Sequence, residues 1–496
     1  MATTGEAAGV KSLESKLSDF ASQMLQPVPG ALPTEKVVHD AVWGPVFLRG
    51  PEVCFLDTSL MQRLRYLHQT GFAFQVFPSA GHSRFEHSLG VLRQTESHLR
   101  ALSNRFRDHV TPEAVSTLRL AALLHDCSHG MFSHTSEEIY RFMPDMLDLT
   151  HEGGRYPNHK ASELVALLIL QSGRFKEFID SFAKNSAPVH TDGARLANLI
   201  TGNDSAVDPH HRWMVDIING PIDADKLDYI RRDGLHTGIP LTLDLERFWL
   251  TTEIAYLPKG CVPSAIENET RLVINRAGIN SVEQILFARF QLTSAVYQHH
   301  KIRSCDCLFK SWIEQKQSSG KFTTTVDFIN GNDLDYLVEI RNLRRDQMLA
   351  RALVISEGTA KSQLPESLWD LAIKSNKDDS ASKDLRQLSR LIAEEANLPP
   401  EHAGLVWIDL PAAPKVDDLG ATIVNLGNVK DPFYDTLDHV FPVKEWGKTY
   451  LQKKWRGHVF APLAYRSAVN RVAKRLFEDR FPGLAFSDAA TSICKL

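Results

Sequence analysis

The chain has 496 residues, enough for one large domain or about two to four smaller ones. It is 43% hydrophobic and 23% charged with a net charge of -4, which is typical of a globular protein and unlike the basic proteins that coat nucleic acids. No apolar run reaches the roughly 18 residues that a membrane span needs, so we expect no membrane partner.

The cysteines give no sign of a disulfide framework. They form no CxxC pair, and no signal-peptide pattern accompanies them. Cys305 and Cys307 could be half of a metal site, but no second pair completes it. We therefore expect reduced thiols in a cytoplasmic protein, at Cys54, Cys127, Cys261, Cys305, Cys307 and Cys494.

The first two thirds of the chain predict a mainly α body. Residues 1–35 predict a loose N-terminal segment with one helix near 11–25. Residues 36–56 alternate apolar and polar side chains around Gly-Pro breaks, which predicts a short β-hairpin. From 57 onward apolar residues recur every three to four positions, which is typical of helices. We therefore predict one helical body over 36–315.

The remaining residues, 316–496, predict a smaller α+β appendage. KQSSGKF at 316–322 is typical of a loop, and KSNKDDSASKD at 374–384 predicts an exposed polar stretch. Within 403–426, AGLVWIDLP and ATIVNL predict two strands. A basic amphipathic helix is predicted near the end, in YRSAVNRVAKRLFEDRF.

Four residues form the strongest chemical signal: His87, the adjacent pair His125 and Asp126, and Asp225. The pair follows an apolar helical run, and a turning helix end lets adjacent side chains converge. Mixed imidazole and carboxylate ligands suit Fe, Mn, Zn, Ni or Mg, and two of each leave positions open for water and substrate. A hydrogen-bonded structural cluster and a closed structural metal site are the alternatives to an open catalytic site.

The arrangement H(x37)HD(x98)D resembles the metal signature of the HD-domain phosphohydrolases. The surrounding blocks QRLRYLHQTG, FPSAGHSRFEHSLGV, LLHDCSHGMFSH and DADKLDYIRRD resemble the deoxynucleoside triphosphate triphosphohydrolase branch of that family. The resemblance covers about residues 36–310, with a looser match at VFAP, 459–462. It implies an HD phosphohydrolase domain over 36–315. We expect no sterile-alpha-motif domain before it, because 35 residues are too few.

The resemblance implies a proton relay at the phosphate ester. His129, Glu137 and His159 match the relay, and His134 matches a histidine close to the α-phosphate. Imidazole suits this work because its ordinary pKa lies near neutrality. The family usually has Asp where this chain has Glu137, and the neighbouring Glu138 is an alternative.

The resemblance also implies a cradle for the triphosphate. Arg84, Lys226 and Arg289 match family positions that contact the phosphates, and Tyr229 adds a hydroxyl group. Arginine binds a phosphate with two donors, whereas lysine acts as a point charge. Without the motif, a solvated surface charge would be the simpler interpretation of Lys226 or Arg289.

Four further positions match the sugar and base end of the family's pocket. Gln69 and Asp233 match residues that contact the sugar 3′-hydroxyl, and Tyr297 and Gln298 match residues near sugar and base. Asp233 lies two helical turns after Asp225, so one helix face would serve both metal and sugar.

Three functions stay open at this stage. The resemblance implies metal-dependent hydrolysis of a deoxynucleoside triphosphate (dNTP) to a deoxynucleoside and inorganic triphosphate. The chain could instead be another HD phosphohydrolase, acting on nucleoside monophosphates, cyclic dinucleotides or nucleic-acid ends. It could also be a sensor with a vestigial site. Antiviral or antiphage defence and dNTP housekeeping both fit the first chemistry.

The resemblance further implies regulation and assembly. Relatives form dimers or tetramers with activating nucleotides between subunits, so we expect a homo-oligomer with 316–496 as a regulatory and oligomerisation region. Asp57, Gln62 and Arg65 match positions that recognise an activating GTP or dNTP. A plain structural helix is the alternative. Asn275 and Ala277 stand where the family has basic residues that bind a second activator, so this chain lacks those basic residues. Nucleic acid is not an expected partner, though it stays open.

Overall fold

A computed structural model gives the fold of the chain. It describes residues 12–26, 35–157, 159–184, 189–341, 349–355, 366–412, 420–428, 431–484 and 486. Parts of the predicted loose segment 1–35, and Cys494, therefore lie outside the described residues. The five described cysteines are free thiols, as the sequence predicts. Within these ranges, every helix is too short or too polar to cross a bilayer.

The fold is mainly α with a smaller α+β part, which confirms the predicted class. The helices of the first 240 residues are α1 (Leu13–Met24), α2 (Gly50–Leu56), α3 (Ser59–Gln62), α4 (Arg84–Ser103), α5 (Pro112–Leu124), α6 (His134–Tyr140), α7 (Pro144–Thr150), α8 (Ala161–Leu170), α9 (Gly173–Lys184), α10 (Gly193–Thr201), α11 (Trp213–Asn219) and α12 (Ala224–Thr237). Those that follow are α13 (Leu245–Thr251), α14 (Ile279–Leu292), α15 (His300–Ser318), α16 (Thr325–Asn330), α17 (Asp333–Ile340), α18 (Glu366–Ser375), α19 (Asp379–Glu395), α20 (Pro400–Ala403), α21 (Leu437–Val440), α22 (Val443–Lys454) and α23 (Arg466–Arg480).

Three small sheets accompany the helices. The strands are β1 (Glu35–Asp40), β2 (Gly44–Arg49), β3 (Thr252–Leu257), β4 (Glu269–Asn275), β5 (Ala350–Ile355), β6 (Trp407–Asp409), β7 (Ile423–Asn425), β8 (Tyr434–Thr436) and β9 (Gly457–Ala461). The sheets have the strand orders β1-β2, β3-β4-β7-β8 and β5-β9-β6. The predicted hairpin and the two strands of 403–426 are confirmed, although β6 and β7 enter different sheets.

Two expectations of the sequence differ from the fold. The stretch predicted to be helical over 36–315 contains the antiparallel pair β3–β4, which pairs in parallel with β7 from far along the chain. The polar stretch 374–384 is mostly exposed, as predicted, but it includes the first helical turns of α19. An N-cap at Asp378, whose side chain accepts from Ser380 N, begins that helix.

The described residues form two large hydrophobic cores beside two small clusters. The first runs from α1 to α17 and also includes Val424, Leu437 and Val443. The second gathers side chains between Ala352 and Leu484, from β5, β6, β9 and the helices beside them. The first core thus extends on both sides of the boundaries at 35 and 315, and the division into domains stays a prediction.

Three helices of the first core bring the candidate site together. Helix α4 begins with a capping box in which Ser83 and Glu86 satisfy each other's backbone amides. Helix α12 is capped by Asp223, whose side chain accepts from Lys226 N. The two helices approach closely at Gly90, and α5 packs against α4.

Candidate metal centre and active site

The four predicted metal ligands converge. His87 Nε2 lies 3.2 Å from His125 Nε2, 2.9 Å from Asp225 Oδ1 and 3.6 Å from Asp126 Oδ2. Helix α5 ends at Leu124, and His125 is its C-cap, so the chain turns where the adjacent pair lies. His87 of α4 and the pair at the end of α5 therefore bring three ligand-type atoms within 4.8 Å of one another, and Asp225 of α12 adjoins them through His87.

The orientation of both rings suits a cation. His87 Nδ1 donates to Asp228 Oδ2 at 2.7 Å, and His125 Nδ1 donates to the Ala122 carbonyl at 2.8 Å. Each ring therefore directs its other nitrogen at the common point. Two facing Nε2 atoms beside Asp126 and Asp225 are a donor set that a divalent ion fits, because it would replace the proton that otherwise separates them.

The electrostatics of the centre favour charged groups. Burial lowers the pKa of His87, but Asp225 and Asp228 outweigh burial and raise it to about 10. Burial raises the pKa of Asp126, but Arg84 and the neighbouring histidines hold it well below its usual range. The pKa of Asp225 is likewise lowered, against its burial, by His87. The ligand carboxylates are thus ionised at neutral pH.

A second cluster adjoins the first. His129, His134 and Glu137 bring their ligand-type atoms within 4.8 Å of one another. Asp126 links the two clusters, because its Oδ1 lies 3.4 Å from His125 Nε2 and 3.2 Å from His129 Nε2. His134 is 75% exposed and lies 3.4 Å from Glu137 Oε2 through its Nδ1. Three of the four predicted catalytic residues therefore lie together beside the metal centre.

Protonation differs within this second cluster. Burial and the nearby Arg84 lower the pKa of His129 to about 4, so its ring is neutral near pH 7. Burial raises the pKa of Glu137, but His134 and His129 outweigh it and hold it far below its usual range. Glu137 Oε1 also accepts from the Ser162 amide and hydroxyl, at 3.1 and 2.7 Å. The glutamate is thus fixed and charged in a position that the family usually gives to Asp.

Two other predicted relay residues lie elsewhere. His159 packs its ring against Tyr156, with centroids 5.7 Å apart, and is not a member of the His129–His134–Glu137 cluster. Glu138, the alternative to Glu137, pairs instead with Lys310 Nζ at 2.5 Å. The relay role of His159 stays a prediction, and Glu137 is the better-placed carboxylate.

The predicted phosphate-binding cations Arg84 and Lys226 have different partners. Arg84 is buried, pairs with Asp126 through Nη1 and donates from Nε to Ser133 Oγ at 2.5 Å. Lys226 folds back along its own helix, pairing with Asp223 and donating to the Gly220 carbonyl at 2.9 Å. Arg84 therefore lies at the centre, whereas Lys226 would have to reorient to meet a phosphate.

The predicted sugar-contacting residues form a connected group. Tyr297 donates its hydroxyl to Asp233 Oδ2 at 2.6 Å, and His82 Nε2 lies 2.8 Å from Asp233 Oδ1. The Tyr229 and Tyr297 rings stand 6.5 Å apart in an edge contact. Gln298 is turned away, donating to the Ala412 carbonyl at 3.3 Å.

Three predicted substrate contacts hold buried polar atoms without a hydrogen-bond partner among the described residues: Gln69 Oε1, Arg84 Nη2 and Arg289 Nη1. A buried polar group without a partner costs about 1–3 kcal/mol unless water or a bound molecule satisfies it, and about two dozen side-chain atoms of the described residues are in that state. Three of them on predicted substrate contacts are atoms that a bound molecule would satisfy.

The predicted nucleotide-recognising residues are partly connected. Arg65 Nε donates to Gln62 Oε1 at 2.8 Å, and the Arg65 guanidinium lies 3.6 Å from the centroid of the Phe85 ring. Asp57 pairs with Lys36 at 3.0 Å. These contacts are those of a surface helix, and an activator role stays a prediction.

Several residues around the centre were not predicted from the sequence. Asp228 accepts from His87 and from Trp43 Nε1 at 2.5 Å, and it pairs with Arg232, which in turn pairs with Asp40 at 2.9 Å. Asp228 lies within the quoted block DADKLDYIRRD, three residues after Asp225. Its position on the next turn of the same helix face is the signal that could have identified it.

Comparison with known proteins agrees with this architecture. The HD domain model matches residues 84–232, and the HD associated region model matches residues 262–480. A solved structure of a hypothetical protein from Aquifex aeolicus is similar in fold, with a TM-score of 0.59 at 21% identity, covering 89% of this chain and 100% of that one. That likeness concerns the fold alone.

Among relatives, an uncharacterized protein of Methanocaldococcus jannaschii is 26% identical over 431 residues, 86% of this chain and 79% of that protein. The deoxynucleoside triphosphate triphosphohydrolase SAMHD1 of Homo sapiens is 27% identical over 308 residues, 59% of this chain and 46% of that protein. The same enzyme of Gallus gallus is 31% identical over 235 residues, 44% of this chain and 37% of that protein. The match thus spans less than half the length of these two enzymes.

Proposed function

Because the chain carries an HD domain followed by an HD-associated region, we propose that this HD hydrolase cleaves deoxynucleoside triphosphates to a deoxynucleoside and inorganic triphosphate. The observation that carries the proposal is the set of buried atoms without partners on Gln69, Arg84 and Arg289. A molecule with anionic groups and hydroxyls, placed beside the metal centre, would supply all three partners.

The residues of the site have separate roles in metal binding and phosphate binding. A divalent ion held by His87, His125, Asp126 and Asp225 would supply Lewis-acid chemistry toward a phosphate oxygen and a water. Arg84 Nη1 is held by Asp126, so its Nη2 is oriented to bind a phosphate oxygen.

Proton transfer falls to the second cluster. Water that attacks the α-phosphorus loses a proton, and the neutral ring of His129 can accept it and pass it to the leaving 5′ oxygen. His134, fixed by Glu137 and mostly exposed, lies beside the His129 ring at 5.3 Å between centroids. It can therefore position the phosphate or exchange the proton with solvent.

The sugar end supports a nucleoside substrate. Asp233 and Tyr297 share a hydrogen bond that a sugar hydroxyl can join, and Tyr229 borders them with an aromatic ring. Buried polar groups of this kind discriminate strongly against molecules that leave them unpaired. An HD enzyme that acts on small monophosphates does not need this extended set of substrate-binding residues.

The decisive experiment incubates purified protein with each dNTP and each NTP in Mn²⁺ or Mg²⁺ and separates the products. A deoxynucleoside with inorganic triphosphate supports the proposal. Release of phosphate or pyrophosphate alone contradicts it and favours another HD phosphohydrolase. Asp225→Ala should abolish turnover, and Asp435→Asn, on the distant strand β8, is the control with wild-type turnover.

Nucleotide activation and oligomerisation form a second, separable part of the proposal. Asp57, Gln62 and Arg65 would recognise GTP or a dNTP and favour an oligomer. Light scattering with and without GTP, together with initial rates, tests this directly. An Arg65→Ala chain should lose any GTP effect while keeping its basal turnover, since Arg65 contacts Gln62 and Phe85 rather than the metal centre.

A further inference from the structure

A cavity of about 300 Å³ lies between the helical body and the C-terminal core, away from the metal centre. Helices α6 and α15 border it on one side, and α19 and β6 border it on the other. This volume is that of sites which hold small organic molecules. The proposed reaction uses none of its lining residues.

One side of the cavity is cationic. Lys310, Arg303 and Arg141 surround Glu138, at 2.5 Å for Lys310 Nζ and 3.8 Å for Arg303 Nη1. These neighbours, with Lys310 foremost, outweigh burial and lower the pKa of Glu138 to about 2. The Nε of Arg141 is buried and has no hydrogen-bond partner in the part of the chain that the structure describes. Arg303 is also paired with Asp409 and Asp306, so Arg141 is the cation of this group whose donor is left unsatisfied.

The remaining lining combines apolar and hydroxyl-bearing side chains with further ion pairs, such as Arg386 with Glu314. Ile139, Ile313 and Leu385 contribute aliphatic surface, while Ser382 and Lys383 approach from α19. Lys383 is 69% exposed and pairs with Asp379 one turn earlier. An anionic group beside an aliphatic surface is the chemistry of a phosphate ester with an organic body, since arginine binds phosphate with two donors.

Helix α6 connects this cavity to the candidate active site. Glu137 contacts His134 and Ser162, whereas Glu138, the next residue, contacts Lys310 in the cavity. Thr135 of the same helix donates to Asp306 of α15 at 2.8 Å. The contacts of Glu138 with α15 therefore help to fix the helix that carries His134 and Glu137.

We propose that this cavity is a regulatory site for a small organic phosphate ester. The phosphate would bind Arg141 and compete with Glu138 for Lys310. Because Glu138 then loses its main partner on α15, α6 would be held less firmly, and the second cluster would be less well positioned.

Binding is tested on the full chain in EDTA, so that no metal-dependent phosphate binding contributes. Phenyl phosphate, which carries a phosphate on an apolar ring, should bind wild-type protein at least about tenfold more tightly than inorganic phosphate. Equal affinity for the two probes overturns an organic phosphate as the occupant. Arg141→Gln should weaken phenyl phosphate binding at least about tenfold.

Two further variants keep the binding test decisive. Arg100→Gln removes an arginine that is 68% exposed on α4 and should leave affinity unchanged. If Arg141→Gln does not fold, Arg141→Lys replaces it, because lysine keeps the charge but loses the two-donor geometry and should also weaken phenyl phosphate binding. Wild-type affinity in the folded lining variant overturns the proposal.

Coupling to catalysis rests on the proposed function and is measured separately. Phenyl phosphate should lower kcat of wild-type protein at least about twofold but not that of Arg141→Gln, whereas competition at the active site would raise KM in both. An unchanged wild-type kcat, or an equal loss in both proteins, overturns the coupling. A protein without triphosphohydrolase activity overturns the proposed function and leaves the binding result intact.

Discussion

Asp228 orients the candidate metal centre without being one of its predicted ligands. It is buried, it accepts from His87 Nδ1 at 2.7 Å and from Trp43 Nε1 at 2.5 Å, and it pairs with Arg232. Its charge fixes which nitrogen of His87 carries the proton and where the other one points. The same carboxylate therefore both stabilises the helical body, through Arg232 and Trp43, and orients His87 in the site.

Replacing Asp228 should therefore damage metal binding and folding together. In Asp228→Asn we expect metal affinity to fall roughly 10–100-fold, because the His87 ring loses its orienting acceptor. The free energy of unfolding should fall by about 3 kcal/mol, because Arg232 keeps only Asp40 as a charged partner. Metal titration and urea unfolding of the metal-free protein measure the two effects.

A buried pair outside the site is the matched control for that variant. Asp216 accepts from Arg271 at 2.7 and 3.0 Å and is also buried. Asp216→Asn should lose comparable stability and keep its metal affinity. A similar loss of metal affinity in both variants would show that the Asp228 effect is only general destabilisation.

The raised pKa of His87 predicts how many protons are released when a metal binds. Its pKa in the metal-free chain is raised to about 10, so at pH 8 the ring is protonated, and a metal must displace that proton. We expect about one proton released per metal at pH 8, measured by calorimetry in buffers of different ionisation enthalpy. Metal affinity should consequently rise with pH.

The raised pKa of His87 also determines how the stability of the metal-free chain depends on pH. A raised pKa means that charged His87 stabilises the folded metal-free chain fully below its ordinary pKa of 6.5, and this contribution is lost as pH rises through about 10. Asp225→Asn removes one acceptor of that proton and should reduce the release at pH 8. Proton release below about 0.2 per metal in the wild type would contradict the predicted state of His87.

At the scale of elements, two close approaches build the site. A Cβ at Gly90 of α4 would lie 1.9 Å from Asp228 Oδ1 of α12, so only glycine lets these helices meet. Between α5 and α6, Phe132 and Ser133 adopt left-handed φ values of 46° and 50°. Such strain costs about 1–3 kcal/mol per residue, and the bond from Phe132 N to Asp333 helps to offset it.

Gly90→Ala therefore tests the approach of α4 to α12. Helix propensity alone favours alanine by about 1 kcal/mol, whereas the overlap with Asp228 and Arg232 would displace a buried ion pair. We expect a net loss of about 2 kcal/mol in the free energy of unfolding, together with weaker metal binding. Urea unfolding and metal titration measure both.

Gly173→Ala is the control, because nothing lies within 4 Å of a Cβ at that helical glycine. Its stability should stay the same or rise. If Gly90→Ala were as stable as Gly173→Ala and bound metal normally, the close approach would not be what positions His87.

Sequence predicted the elements and the candidate site residues whose signal is local. The hairpin β1–β2, the long helices and the four candidate ligands each depend on residues within one block or on a recurring spacing. The pair β3–β4 was missed because its alternation lies between helical patterns, and its neighbour β7 begins at Ile423. His87 and Asp228 are 141 residues apart, so their contact exists only after α4 meets α12.

At the scale of the whole molecule, ion pairs connect the two cores. Arg303 of α15 donates to both oxygens of Asp409 in β6, at 2.6 and 3.1 Å. Arg386 of α19 pairs with Glu314 of α15 in the same two-donor manner, at 2.6 and 2.7 Å. Two-donor arginine–carboxylate pairs are the strong form of this interaction, so the C-terminal core is held by charge along α15.

Asp409→Asn should uncouple the second core from the body. Arg303 would keep its charge while losing its closest acceptor, which in a partly buried position costs about 3–5 kcal/mol. Hydrogen exchange should then accelerate at least about tenfold in the second-core peptides of α19, β9 and α23, with little change in peptides of α4 and α5. Asp435→Asn, which removes a pair with the exposed His439, should change neither region. Equal acceleration in both cores of Asp409→Asn would mean that the chain unfolds as one cooperative unit.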